Sequence, residues 1–300
     1  MPSTLRRNTL RGTWGTVLLP LREDDSIDFA RLADEIDVLA GAGLDGVYAH
    51  GTAGEFHELT DEEYARVNEV LAGRSGGLPY QIGASHMSAA TTLRRVGLAR
   101  GLEPAAIQVT LPDWVPMSRE EVLRFVERVA KAADPVPLVL YNPPHAKTRL
   151  GPGDFAALAA GVPALIGVKV ASWEAVGESE LAVFVAGHHY AGGVRQGAKG
   201  SYSNIAAFSP RGAMAWQRLI RDDPEAALDV ERRIAGFFAA HVEPLARQGY
   251  ANPALDKFLA HVGGWADIGT RVRWPYRSVD AAHAAALRPA ARRDLPELFP

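Results

Sequence analysis

The sequence predicts an α/β protein: a (β/α)8 barrel over residues 12–222, followed by a small helical C-terminal domain over residues 223–300. Three observations predict it. Eight short apolar or β-branched runs alternate with longer helical patterns from residue 14 to about residue 222. Beyond that point the strand signal disappears. The same alternation also permits an open doubly wound sheet, but no glycine-rich dinucleotide fingerprint follows the first run.

The strand-like runs fall at residues 14–19, 45–50, 80–83, 105–110, 137–141, 165–170, 181–186 and, more weakly, 200–204. Helical patterns are read at 28–41, 61–71, 88–100, 119–133, 152–160, 173–178, 191–196 and 210–221. Two helix starts carry a reciprocal cap: Thr60 is followed by Glu63, and Ser118 by Glu121. In the tail, 224–248, 253–262 and 279–293 read as helices. No low-complexity linker separates the two regions.

Composition excludes several kinds of protein. The 300 residues are 47% hydrophobic, with 32 basic against 35 acidic side chains and a net charge of -3. A chain of this balance buries a full core and has no basic excess for nucleic acid. The absence of cysteine rules out disulfides, thiolate metal sites and a thiol nucleophile. It suits a cytoplasmic location. The basic start (Arg6, Arg7, Arg11) leads into an apolar stretch of about eight residues, too short for a leader or a membrane span.

In a barrel of this kind chemistry gathers where the strands end. Five of the basic residues are lysine. Lys131 and Lys257 fall in helical patterns, Lys147 in a loop and Lys199 at a strand start. Lys169 alone lies inside a barrel strand, in Leu165-Ile166-Gly167-Val168-Lys169-Val170. An amine there either pairs with an acid or gives up its proton and becomes a nucleophile. The run alone leaves both open. Tyr141 ends the neighbouring strand and could share the mouth as a proton carrier or merely pack. The loop Gly51-Thr52-Ala53-Gly54 offers backbone N–H groups suited to a carboxylate.

Together these pieces resemble the superfamily of pyruvate-dependent class I aldolases that includes dihydrodipicolinate synthase and N-acetylneuraminate lyase. Gly51-Thr52-Ala53-Gly54-Glu55-Phe56 is similar to its G-[ST]-[TG]-G-E signature, Tyr141-Asn142-Pro143-Pro144 to its Y-N-x-P, and Gly167-Val168-Lys169 to its G-[IV]-K. The resemblance covers essentially the whole chain. It implies that Lys169 forms a Schiff base with pyruvate or another 2-oxo acid, that Tyr141 is the general acid/base, and that Thr52 relays protons. It implies that the backbone of Thr52 and Ala53 holds the substrate carboxylate, that Tyr202 lies near the substrate, and that Asn142 shapes its loop. It further implies no cofactor, no metal, and a homo-oligomer, a dimer or tetramer paired through the loops after strand 4.

This chain also departs from the pattern. The second loop hydroxyl is Ala53, and the segment after strand 4 reads Leu111-Pro112-Asp113-Trp114-Val115 with no relay tyrosine. Of the arginine expected after Y-N-x-P, only Lys147 or Arg149 in a shifted register remains. These departures point from lysine biosynthesis toward a sugar-acid or aromatic 2-oxo acid aldolase, or a dehydratase. Asp113 and Trp114 are read as substrate contacts, with a subunit contact the other reading of Trp114. A non-catalytic 2-oxo acid binder or sensor is the competing function. His188-His189 has no acidic partner at metal-ligand spacing, and His50 either touches the pocket or packs.

Overall fold

The structure is a computed structural model and describes residues 5–300; the first four residues of the N-terminal stretch weighed above as a leader lie outside the described residues. The elements run β1 (Gly12–Thr16), α1 (Phe29–Ala40), β2 (Gly46–Ala49), α2 (Asp61–Arg74), β3 (Tyr80–Gly83), α3 (Ala89–Arg100), β4 (Ala106–Thr110), α4 (Arg119–Ala133), β5 (Leu138–Tyr141) and α5 (Pro152–Gly161). They continue with β6 (Leu165–Lys169), β7 (Ala182–Ala186), α6 (Tyr190–Gln196), β8 (Gly200–Ser203), α7 (Asn204–Phe208) and α8 (Pro210–Asp222). The tail is α9 (Pro224–His241), α10 (Glu243–Arg247), α11 (Asn252–Gly263), α12 (Ala281–Ala286) and α13 (Arg288–Asp294). All eight strands are parallel and close in sequence order, with Gly12 of β1 opposite Gly200 of β8. This is a closed TIM barrel with helices at its C-terminal end.

Local chemistry explains most boundaries. Thr60 and Ser118 each accept the backbone N–H three residues on, and Glu63 and Glu121 reach back to the cap N–H, so both boxes form. The expected helix over 224–248 breaks at Val242 because Pro244 can start a helix but not continue one. The last expected helix divides in the same way at Leu287, ahead of a proline in the first turn of α13.

Three expectations are corrected. Residues 17–19 leave the β1 ladder although Val17, Leu18 and Leu19 are buried, because the apolar run continues into a packed loop. The helix expected over 173–178 is only a 3-10 turn at Trp173–Ala175, and Gly177 follows in a left-handed conformation (φ 70°) that ends it. The sixth crossover therefore has no α-helix. Finally, α7 was not anticipated.

The barrel interior is aromatic, with Trp14, Tyr48, Phe184 and Tyr202 packed together among Val139 and Ile166. The second structural centre is polar. Lys257 lies on a helix, α11, as its pattern indicates, and is fully buried there. Its ammonium donates to Glu55 Oε1 at 2.5 Å and to the Arg271 carbonyl at 2.6 Å. Glu55 Oε2 accepts the Arg273 N–H at 2.9 Å. The Arg273 guanidinium in turn donates to the Glu58 carbonyl at 2.8 Å and to the Glu63 carboxylate. The loop after β2 is thereby tied to α11 and to the segment that follows it. Among the described residues, no helix is long and apolar enough to cross a membrane.

Removing one member of a buried pair strands the other charge. Lys257→Met is expected to cost about 3–5 kcal/mol in urea unfolding, and adding Glu55→Gln should recover part of that loss. A double variant no more stable than Lys257→Met would show that the pair does not carry the coupling.

Candidate active site

Strand register sets the site. Tyr141 pairs with Lys169 across β5 and β6, and Thr110 with Tyr141 across β4 and β5, so three strand ends present side chains at one level. Lys169 Nζ lies 4.2 Å from the centre of the Tyr141 ring, 5.3 Å from that of Tyr48 and 5.5 Å from that of Tyr202. Three aromatic rings surround the amine on the barrel side. Burial accordingly pulls its pKa down to about 8, against the opposing pull of Asp256, a carboxylate on α11. Burial also pushes the Tyr141 hydroxyl up to about 12; a hydrogen bond with the Thr52 side chain draws it back in part.

The signature loop is held in a narrow conformation. His50 (φ 60°) and Glu55 (φ 50°) bracket it, both in the left-handed region that non-glycine residues seldom adopt. Each is fixed by packing. His50 Nε2 is hydrogen-bonded to Asn68 Oδ1 at 2.8 Å, and its ring lies on Tyr64, so it packs beneath the loop, with burial lowering its pKa to about 3. Glu55 is gripped by Lys257. Gly54 allows a close approach: a Cβ there would sit 3.0 Å from the Val17 carbonyl and 3.3 Å from the His50 nitrogen, so a larger residue would push the backbone apart by a few tenths of an ångström. Within the loop, Gly54 N–H donates to Gly51 and Glu55 N–H to Thr52. Among the described residues, the N–H groups of Thr52 and Ala53 donate to no protein acceptor.

A cavity of about 450 Å³ opens above this level, reached by Thr52, Tyr141 and Asn142. Asn142 closes the loop that follows, donating to the Thr148 carbonyl at 2.9 Å and accepting from Leu150 N–H at 3.0 Å. Farther out, the cavity is bounded by His57, His86 and His145, and by Phe56, Leu111 and Tyr276. His57 packs edge-on against Phe56 and Tyr276, and burial lowers its pKa. His86 Nδ1 accepts the Ser88 N–H, and burial lowers its pKa as well. Among the described residues, no lysine or arginine lines this cavity. Lys147 and Arg149 are exposed outside it, and Lys147 donates instead to the Trp114 carbonyl at 2.8 Å. Among the described residues, no three His, Asp or Glu side chains group as metal ligands.

The other residues read from sequence are dispersed. Asp113 lines the cavity and accepts the Lys147 N–H at 2.7 Å. That contact and the lysine's bond to the next carbonyl hold the segment so that Trp114 is 74% exposed, outside the cavity, in a shallow apolar depression with Val115 and Met117. Its placement is a correction to the reading of Trp114 as a substrate contact. Tyr202 points into the barrel beneath Lys169, and its hydroxyl donates to Gln81 Oε1 at 2.7 Å. Ala53 is buried beside Leu18 and Ala207. His188 is held by Asn204 and Phe238. Sequence reasoning missed Asp256 and Asn252 on α11, and the histidines at 57 and 86. The one available signal was the adjacent charges Asp256-Lys257 inside an otherwise apolar helix.

The fold is a closed parallel (β/α)8 barrel whose candidate site lies at the C-terminal ends of its strands. Residues 9–286 match the dihydrodipicolinate synthetase family, and the chain belongs to that family. It is 35% identical over 136 residues to the 4-hydroxy-tetrahydrodipicolinate synthase of Thermomicrobium roseum, a match that spans 45% of this chain and only 44% of that protein. Among solved structures it superposes on N-acetylneuraminate lyase of Proteus mirabilis (TM-score 0.82, 20% identity, 94% and 98% of the two chains). A prophage protein of the dihydrodipicolinic acid synthase family from E. coli K12, solved with pyruvate, is comparably similar (TM-score 0.83, 22% identity, 95% and 98%). At such identities the likeness is one of fold.

Asn142→Ala removes both bonds that close the loop, leaving a buried donor and acceptor unpaired. A loss of about 1–3 kcal/mol is expected. Trypsin should also cut faster after Lys147 or Arg149 in the variant; an unchanged cleavage rate would show that the loop closes without the amide.

Proposed function

We propose that this protein is a Schiff-base-forming lyase acting on pyruvate or another 2-oxo acid, with Lys169 as nucleophile. The observation that carries the reading is a lysine amine at a barrel strand end, walled by three tyrosine rings and with its pKa drawn down to about 8. A substantial neutral fraction is then present near neutrality, and only the neutral amine attacks a carbonyl. Attack forms the N–C bond as the carbonyl pair moves to oxygen, which takes a proton from the Tyr141 hydroxyl. Loss of water leaves an iminium. In a 4-hydroxy-2-oxo acid, removal of the C4 hydroxyl proton lets the C3–C4 bond break, its pair entering the iminium to give an enamine and an aldehyde. Protonation at C3 and hydrolysis then return the 2-oxo acid and the free amine. Thr52, beside Tyr141, relays the proton, and the unpartnered N–H groups of Thr52 and Ala53 suit the substrate carboxylate.

The outer cavity bears on the second substrate. With no lysine or arginine in its lining, a distal carboxylate would lose its water without gaining a cation. Apolar walls, imidazoles and the Asp113 carboxylate disfavour a second anion and favour an uncharged, hydroxylated or aromatic group. The same reading includes assembly as a homo-oligomer, for which exposed Trp114, Val115 and Met87 on neighbouring loops supply an apolar face, and action in the cytoplasm. A binder without turnover remains the competing reading because the relay tyrosine is missing after β4.

Borohydride reduction with pyruvate should leave a stable adduct on Lys169, located by peptide mass spectrometry, and Lys169→Ala should abolish it. No adduct with any 2-oxo acid would sink the Schiff-base reading, while an adduct without product release across aldol and dehydration panels would favour the binder. With pyruvate as donor, uncharged aldehydes should be turned over at least ~10-fold better, by kcat/KM, than aldehydes carrying a carboxylate. Equal or better use of the anionic aldehyde would overturn the assignment of the outer cavity.

A further inference from the structure

We infer that Asp256, carried into the barrel mouth by α11, is the counter-charge of the Lys169 amine and of the iminium that the proposed reaction forms on it. The second half of this statement rests on the Schiff-base reading; the first does not. Asp256 is 7% exposed and lies one helical turn after Asn252, which lines the cavity with Tyr141 and donates to Asp256 Oδ2 at 2.6 Å. Placement of the helix is not accidental. The next residue, Lys257, is locked to Glu55 of the signature loop, so the pair that fixes this loop also fixes which way Asp256 faces.

The surroundings leave the two groups to each other. Lys169 faces Tyr141 on β5, Tyr48 on β2 and Tyr202 on β8, whose hydroxyls burial pushes up, so all three stay neutral. Among the described residues, the one charged group from another element that acts on the amine is Asp256. Asp256 in turn feels Lys169 as its one cation and takes its hydrogen bond from Asn252; burial raises its pKa to about 7, which Lys169 and Asn252 oppose. Its field reaches Tyr48 and Tyr141 as well. Lys257 is engaged elsewhere, with Glu55 in contact and Glu35 nearby.

No direct ion pair joins Asp256 to Lys169 among the described residues, yet each opposes the effect of burial on the other. This arrangement suits a nitrogen whose charge must change. The free amine must be neutral to attack, whereas the iminium is cationic and has little water to stabilise it. A carboxylate held near but not on the amine stabilises the iminium without locking the amine as ammonium. When the enamine forms, nitrogen becomes neutral and the carboxyl can hold a proton.

Competitive trace acetylation of Lys169 across neutral and alkaline pH, read by peptide mass spectrometry, measures the amine midpoint without any substrate. The midpoint is expected near 8 in the native chain. In Asp256→Asn it should fall by about one pH unit, and Asp256→Glu should restore most of it. Asn252→Ala, which removes the bond favouring ionised Asp256, should move it the same way by less, and covers the case in which the Asp256 variants fold poorly. A merely structural Asp256 would lower the melting temperature and leave the midpoint where it is, which would overturn the inference. Borohydride trapping with pyruvate on the same samples separates the two claims. A shifted midpoint with no adduct would sustain the counter-charge and sink the Schiff-base reading; an adduct with an unshifted midpoint would do the reverse.

Discussion

The ion pair between Lys257 and Glu55 is the constraint on which the site depends. Neither group can reach water, so each is costly to bury alone, and the pair is tolerable only because the carbonyl of Arg271 and the N–H of Arg273 complete its hydrogen bonds. Two distant stretches of chain are thereby held in one place: a strained turn after β2, and a helix from the C-terminal region. The positive φ at Glu55 is an unfavourable conformation for that residue, and it persists because the side chain has a single place to go. Everything at the mouth that comes from these two stretches, Thr52 and Ala53 on one side and Asn252 and Asp256 on the other, inherits its position from this contact.

The barrel supplies the remaining geometry by a different route. Parallel strands impose register, and register places Tyr141 beside Lys169 whatever their side chains prefer. Below them the interior is filled with aromatic rings, which removes water from beneath the amine. Burial from below and a single carboxylate from the side are two independent influences on one nitrogen. Their opposition leaves its proton affinity near neutrality rather than at either extreme.

The strands were legible because each is buried on both faces and so reads as a short apolar run, and Tyr141 and Lys169 were legible because strand ends mark the mouth of such a barrel. What failed to read was whatever depended on packing rather than period. Leu18 and Leu19 are as apolar as any strand residue, yet they line a loop; hydrophobicity reports burial, not the ladder. The turn at Trp173 has a helical start, but a left-handed glycine stops it within a few residues. Five residues, the whole of α7, are too few to show a helical repeat. Asp256 and Lys257 were obscured because a helix pattern cannot say what the helix packs against. His57 and His86 lie in the loop regions around the mouth, where no period operates.

The two buried lysines show how one chain sets opposite fates for the same side chain. Lys257 touches a carboxylate and a carbonyl, so burial lowers its proton affinity while direct contact restores the charge. Lys169 touches aromatic faces and has its carboxylate only at a distance, so the same burial is less fully opposed. Contact against separation, rather than depth, decides which lysine is a structural cation and which can be a nucleophile. Depth alone would rank them the other way, since Lys257 is the more buried of the two. The outer cavity follows the same logic. The mouth holds the Lys169 amine with Asp256 near it and Asp113 on the cavity wall, so carboxylates already outnumber the amine there. Histidines with lowered proton affinity at the rim, in place of arginine or lysine, leave recognition of the distal group to shape and hydrogen bonding.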